Sequence, residues 1–112
     1  MDTFKILIPS GYQIYNSNND NIDINLVLRD GSIYFATLFT IENIQSLLKS
    51  NSSSYFWATD MIIVKDLEKL TIKEAIKEII RDDLLEVSFS KIGIIGDMKL
   101  GFDTFEDIQA SI

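Results

Sequence analysis

Cysteine and histidine are both missing from this chain, and the two absences remove most of the familiar chemistry of protein sites. Without cysteine there is no disulfide framework and no thiolate to hold a metal. Without histidine there is no Ser-His-Asp triad, no Cys-His pair and no ordinary zinc site. Glycine is scarce, and Gly11, Gly31, Gly93, Gly96 and Gly101 are not spaced as a phosphate-binding loop of the Walker or dinucleotide type. No apolar run approaches the roughly 18 residues that a membrane-spanning helix needs. The first residues, Met1 to Lys5, do not read as a signal peptide, because the apolar run Ile6–Ile8 is short, lacks a basic leader and ends at Pro9. A cytoplasmic location is the expectation.

Positive charge is also in short supply. Ten Lys and Arg stand against 17 Asp and Glu, giving a formal net charge of −7. Phosphate backbones and anionic membrane surfaces repel such a chain, so neither nucleic acid nor membrane is an expected partner. A basic protein is, because complementary fields speed encounter and help exclude wrong partners. No cofactor is implied.

What is present is enough apolar material for one core. A hydrophobic content of 46%, with 11% aromatics, makes residues 1–112 a single folded domain by expectation. Phe4–Ile8 reads as a short strand, and residues 16–21 as a polar loop. Ile22, Ile24, Leu26 and Leu28 then alternate with Asp23, Asn25, Val27 and Arg29, which is strand periodicity. Asp30-Gly31 favours a two-residue type I′ turn. That turn predicts the pairs Arg29–Ser32, Leu28–Ile33, Leu26–Phe35 and Ile22–Phe39. It leaves Val27, Tyr34, Ala36 and Leu38 on a second, mixed face.

Thr40 reads as the N-cap of a helix carrying Ile41, Ile44, Leu47 and Leu48. Tyr55–Val64 is dense in aromatic and β-branched residues, which predicts a central strand with a bend near Asp60. Thr71-Ile72-Lys73-Glu74 has the spacing of a capping box opening a second helix, with Ile72, Ile76, Ile79 and Ile80 inward. Its charged face, including Glu74, Glu78 and Asp82, reads as solvated. Lys91–Ile95 is a candidate last strand. Asp103–Glu106 again has capping-box spacing, with Phe105, Ile108 and Ile112 as a narrow stripe. The class is α+β: an antiparallel-dominated sheet of four to five strands with two main helices on one face. Residues 92–112 form a C-terminal segment available to cover the second face.

The chemistry left to this inventory is that of carboxylates. Asp60 with Asp97-Met98-Lys99 loosely matches the acidic-x-Lys pattern of metal-dependent nucleases, a pattern that arises readily by chance. Asn16–Asp23 is rich in oxygen but lacks the glycine and terminal glutamate of a calcium loop. No catalytic and no metal-ligating residue is therefore assigned. The aromatic residues point elsewhere, since Tyr and Trp dominate interface hot spots. Trp57 has two readings, core residue of its strand or contact residue. The candidate partner-binding set is Tyr34, Val27 and Leu38 on the mixed face, Trp57, and Asp23 and Asp60 as acidic neighbours.

The segments Asp30–Thr37 (DGSIYFAT) and Tyr55–Val64 (YFWATDMIIV) resemble small bacterial immunity proteins of polymorphic or contact-dependent toxin systems. The resemblance spans roughly residues 4–85, rests on pattern, and leaves out the tail after Lys91. It implies a protein that binds its cognate toxin domain and blocks that domain's active site or substrate approach. It assigns no residues. A self-associating structural or regulatory domain, including a homodimer, is the alternative; a carboxylate-metal hydrolase is a third reading.

Overall fold

The computed structural model describes residues 4–97, 103–108 and 111–112. The elements run β1 (Phe4–Leu7), β2 (Asn21–Leu28), β3 (Ser32–Thr40), α1 (Ile41–Ser50), β4 (Met61–Val64), α2 (Lys69–Arg81), α3 (Leu85–Ser88) and β5 (Ser90–Ile94). A short 3-10 helix follows at Phe105–Asp107. The class is α+β, with one five-stranded, mostly antiparallel sheet and two main helices. β1, β2 and β3 form an antiparallel meander. The far side of β3 is shared by two strands: β4 runs parallel to residues 37–40, and β5 antiparallel to residues 32–35. Where the two meet, the Ser90 hydroxyl donates to Asp60 at 2.7 Å.

The β2–β3 hairpin is present, but its turn and register differ from expectation. Gly31 N–H donates to the Leu28 carbonyl at 2.9 Å, and among residues 29–31 only Gly31 has positive φ, at 93°. This is a type I turn over Arg29-Asp30 with glycine at its last position, so the loop holds three residues rather than two. The observed pairs are Val27–Ile33, Leu26–Tyr34, Ile24–Ala36 and Ile22–Leu38. A one-residue slip exchanges the faces of β3. Tyr34, Ala36 and Leu38 therefore join Ile22, Ile24 and Leu26 in the main core, together with Ile72 and Ile76 of α2. Val27 stays on the second face and Ile33, expected opposite Leu28 on the first, moves there to pair with it, both packed with Phe105 and Ile108.

The other corrections share a cause, which is that tertiary bonds set the boundaries. The strand expected over 55–64 shrinks to Met61–Val64 and lies at the sheet edge. Its break is Asp60, at φ 54°. α2 starts at Lys69, so Thr71 sits inside the first turn and the expected capping box is not what opens the helix. Asp66 organises that entry instead: the nearby Thr71 hydroxyl, and then the Glu68 N–H that donates to it at 2.9 Å, hold its carboxyl below the usual aspartate pKa. In the tail the box is Thr104 with Asp107, one residue later than expected.

The polar loop before β2 has a structural role. Asn21 donates to Asn43 at 2.8 Å, Asn43 to Asn19 at 3.3 Å, and Asn19 to Ser46 at 3.2 Å. This amide ladder ties the loop to α1, which buries no residue fully. Thr40 caps α1 as expected, its hydroxyl oxygen accepting from Asn43 N–H at 3.2 Å.

Candidate protein-binding face

The second face of the sheet is built by the alternate residues of four strands: Lys5 and Leu7, Asp23 to Val27, Ile33 to Phe39, then Met61 and Ile63. One end is covered. Phe105 and Ile108 lie over Val27 and Ile33, and Lys5 Nζ fastens them by donating to the Phe105 and Ile108 carbonyls at 2.7 and 3.0 Å. The same ammonium stands 4.5 Å from the Phe105 ring centre, with the Arg29 guanidinium 4.9 Å away on that ring. Two cations on one aromatic ring, with two carbonyls as acceptors, make this an anchor of the tail.

The other end of the face has no such cover among the described residues. Phe35, Thr37 and Met61 are half-buried there, and Ile63 is 50% exposed. Asp23 and Asp60 flank Thr37 from the neighbouring strands. Asp23 accepts the Thr37 hydroxyl at 2.7 Å, and the Asp60 carbonyl accepts Thr37 N–H at 3.0 Å. At the margin, the loop between α1 and β4 turns Phe56 in against Phe39, ring centres 5.1 Å apart and 73° between planes. Its neighbours Tyr55 and Trp57 point away and are 71% and 69% exposed.

The six residues singled out from sequence thus separate into two groups. Asp23 and Asp60 border this open end, and Trp57 stands exposed in the loop at its margin. Tyr34, Leu38 and Val27 do not: they are 5%, 1% and 0% exposed, because the three-residue turn puts the first two under α2 and the tail covers the third. Tyr34 keeps a polar tie to the surface, donating its hydroxyl to Glu86 at 2.7 Å. That bond, with burial, pushes its pKa up to about 12. Phe35, Thr37, Met61 and Ile63 were missed as face residues. For Phe35 and Thr37 the only signal was alternation in β3, which carries two apolar alternations; Met61 and Ile63 lay in a run apolar at nearly every position.

The carboxylates do not converge for metal chemistry. Among the described residues no three acidic groups cluster. Asp60 sits beside Ser90, whereas Asp97 N–H donates to the Ile94 carbonyl. Ser90 and Ile94 are the two ends of β5, about 13 Å apart at the usual strand rise. Met98 and Lys99, the rest of that pattern, lie outside the described residues. No described helix is long and apolar enough to cross a membrane. Comparison with protein-family models, with curated proteins and with solved structures finds no match to this chain.

Proposed function

We propose that the protein is a non-catalytic binding module whose open second-face end, from Asp23 to Trp57, docks a basic protein. The single observation that carries this reading is the composition of that end: exposed Trp57 and Ile63 beside half-buried Phe35 and Met61, with Asp23 and Asp60 at its sides. Large aromatic anchors supply most of the affinity of protein interfaces. Carboxylates at the rim supply orientation and encounter rate. A second copy of the chain would bring the same aspartates against an equally acidic surface, which favours a basic partner over self-association. Within this reading, an immunity protein that neutralises a cognate toxin domain fits the acidity and the resemblance of residues 4–85.

The test is titration calorimetry and a cell-protection assay against a toxin domain encoded beside this gene. A one-to-one complex is expected, with Trp57→Ala weakening it by about 30-fold or more, the usual cost of a hot-spot aromatic. Asp60→Lys should weaken it further. Undiminished protection by the double variant, or no binding by the wild type, sinks the proposal.

A further inference from the structure

The strand edge that adjoins the second face, sharing Met61 and Ile63 with it, carries a separate inference. β4 is an edge strand, and its outer side has no strand partner among the described residues. The bond from Thr37 N–H to the Asp60 carbonyl sets the alternation of this parallel ladder. Residues 60, 62 and 64 bond β3, so the N–H and C=O groups of Met61 and Ile63 face outward. The opposite edge of the sheet is treated differently. There, Ile112 N–H donates to the Ile6 carbonyl and Ile6 N–H to the Ser111 hydroxyl, both at 3.0 Å. The outer edge of β5 carries Lys91 and a register shift opposite Ile33–Tyr34, two devices that discourage strand addition. β4 has no bulge within it.

Alongside β4 runs a groove of about 460 Å3, floored by Val64, Leu70 and Ala75 and walled by Glu74 and Glu78. It continues past Met61 to Ile79, Asp82 and Leu84. The order of these neighbours shows that α2 runs antiparallel to β4 along the groove. Glu74, Glu78 and Asp82 are therefore four-residue steps on one wall, each rising about 6 Å. Alternate side chains of an extended strand repeat at about 6.7 Å. The two spacings match within the reach of a lysine, whose aliphatic stem can lie on the apolar floor with its ammonium at the wall. Lys65 is the one cation among the described residues lining the β4 end; on α2, Lys77 and Arg81 stand 3.7 and 3.2 Å from Glu74 and Asp82 in exposed pairs, weak enough for a partner's cation to displace.

We propose that the β4–α2 groove accepts an extended segment of a basic partner protein as a further strand. Main-chain bonds to Met61 and Ile63 give the affinity, and Lys or Arg at alternate positions facing Glu74, Glu78 and Asp82 gives the specificity. A second copy of this chain fits less well, since pairing β4 with β4 would bring two acidic walls together.

The probe is a six-residue peptide of alternating lysine and valine, acetylated, amidated and N-methylated on its valines so that only one edge can pair. NMR titration of the full chain should shift the amides of Met61 and Ile63 first. Glu78→Lys, at an exposed position, should weaken binding about tenfold or more, the equivalent of roughly 1.4 kcal/mol. Glutamate in place of lysine in the peptide should abolish it. The proposal is overturned if a peptide N-methylated at every residue binds equally well. It is also overturned if the shifts centre elsewhere, if Glu78→Lys has no effect, if millimolar peptide does not bind, or if the chain dimerises through β4. Trp57→Ala should leave this titration unchanged, which separates it from the test of the second face.

Discussion

Thr40 gives one hydroxyl three partners. It accepts from Asn43 N–H at 3.2 Å and Asp20 N–H at 3.4 Å, and donates to the Asp20 carbonyl at 3.5 Å. The side chain is 1% exposed, so no water replaces it when it is removed. Thr40→Ala should cost about 1–2 kcal/mol in urea denaturation, and Thr40→Ser much less. Tyr34 tests a different balance. Tyr34→Phe removes one bond to an exposed carboxylate and should cost about 0.5–1.5 kcal/mol. Tyr34→Asp would bury a carboxylate in the core and should prevent folding. The tyrosine pKa rises from 10.0 to about 12 in the folded chain, so folding holds its proton more tightly. Its contribution is whole below pH 10 and disappears as pH climbs through 12. Stability curves of wild type and Tyr34→Phe should converge over that interval; a constant gap would disprove the linkage. Asp66 carries the opposite sign: its pKa is lowered from 3.8, so its contribution is present above that value and fades as pH falls through the lower folded value.

Elements differ in what anchors them, and one side chain supplies two of the tail's bonds. Lys5→Met keeps the length of the stem but removes two charge-assisted bonds to carbonyls. The expected result is faster hydrogen exchange at 105–108 and a loss of about 2 kcal/mol, with β2 and α2 still protected. Unchanged exchange would mean that burial of Phe105 and Ile108 alone holds the segment. The same scale shows what could be read in advance. The hairpin, the Thr40 cap, the polar loop and β5 were legible because each is written locally in periodicity or side-chain chemistry. The register was not, because Ile33, Phe35 and Phe39 are as apolar as Tyr34, Ala36 and Leu38. The strand expected over 55–64 failed because Tyr55 and Trp57 have strand propensity but no neighbouring strand to pair with. The candidate site follows that division. Asp23 and Asp60 were legible as acidic neighbours and Trp57 was left between core and contact, whereas the face beside them depends on the register. Glu74, Glu78 and Asp82 looked like ordinary solvated charges, since only the path of α2 beside a bare strand edge gives them something to wall.

At the scale of the whole molecule, seven excess negative charges in 112 residues set how it meets a partner. Association with a basic protein should slow by about tenfold between 0.01 and 0.5 M salt, while dissociation changes little, because screening acts on the encounter. Stopped-flow association across that range checks it; a salt-independent rate would remove charge from the account. Uniqueness of the native state is a second molecular property, and it traces to Arg29-Asp30-Gly31. Because β3 can present either of two oily sides, an unfolded chain that closes this hairpin one residue out of step meets no immediate penalty. Such a state is predicted to act as a kinetic trap, compact but inside out along one strand. Asp30→Asn, which can still accept from Ser32 N–H but makes the Asn-Gly pair that most favours the two-residue type I′ turn, should feed it, enlarging a slow phase in refolding followed by Trp57 fluorescence. If refolding stays single-exponential, the trap does not form. On that expectation, three residues at the tip of the hairpin decide which side of β3 turns inward, and the core only ratifies their choice.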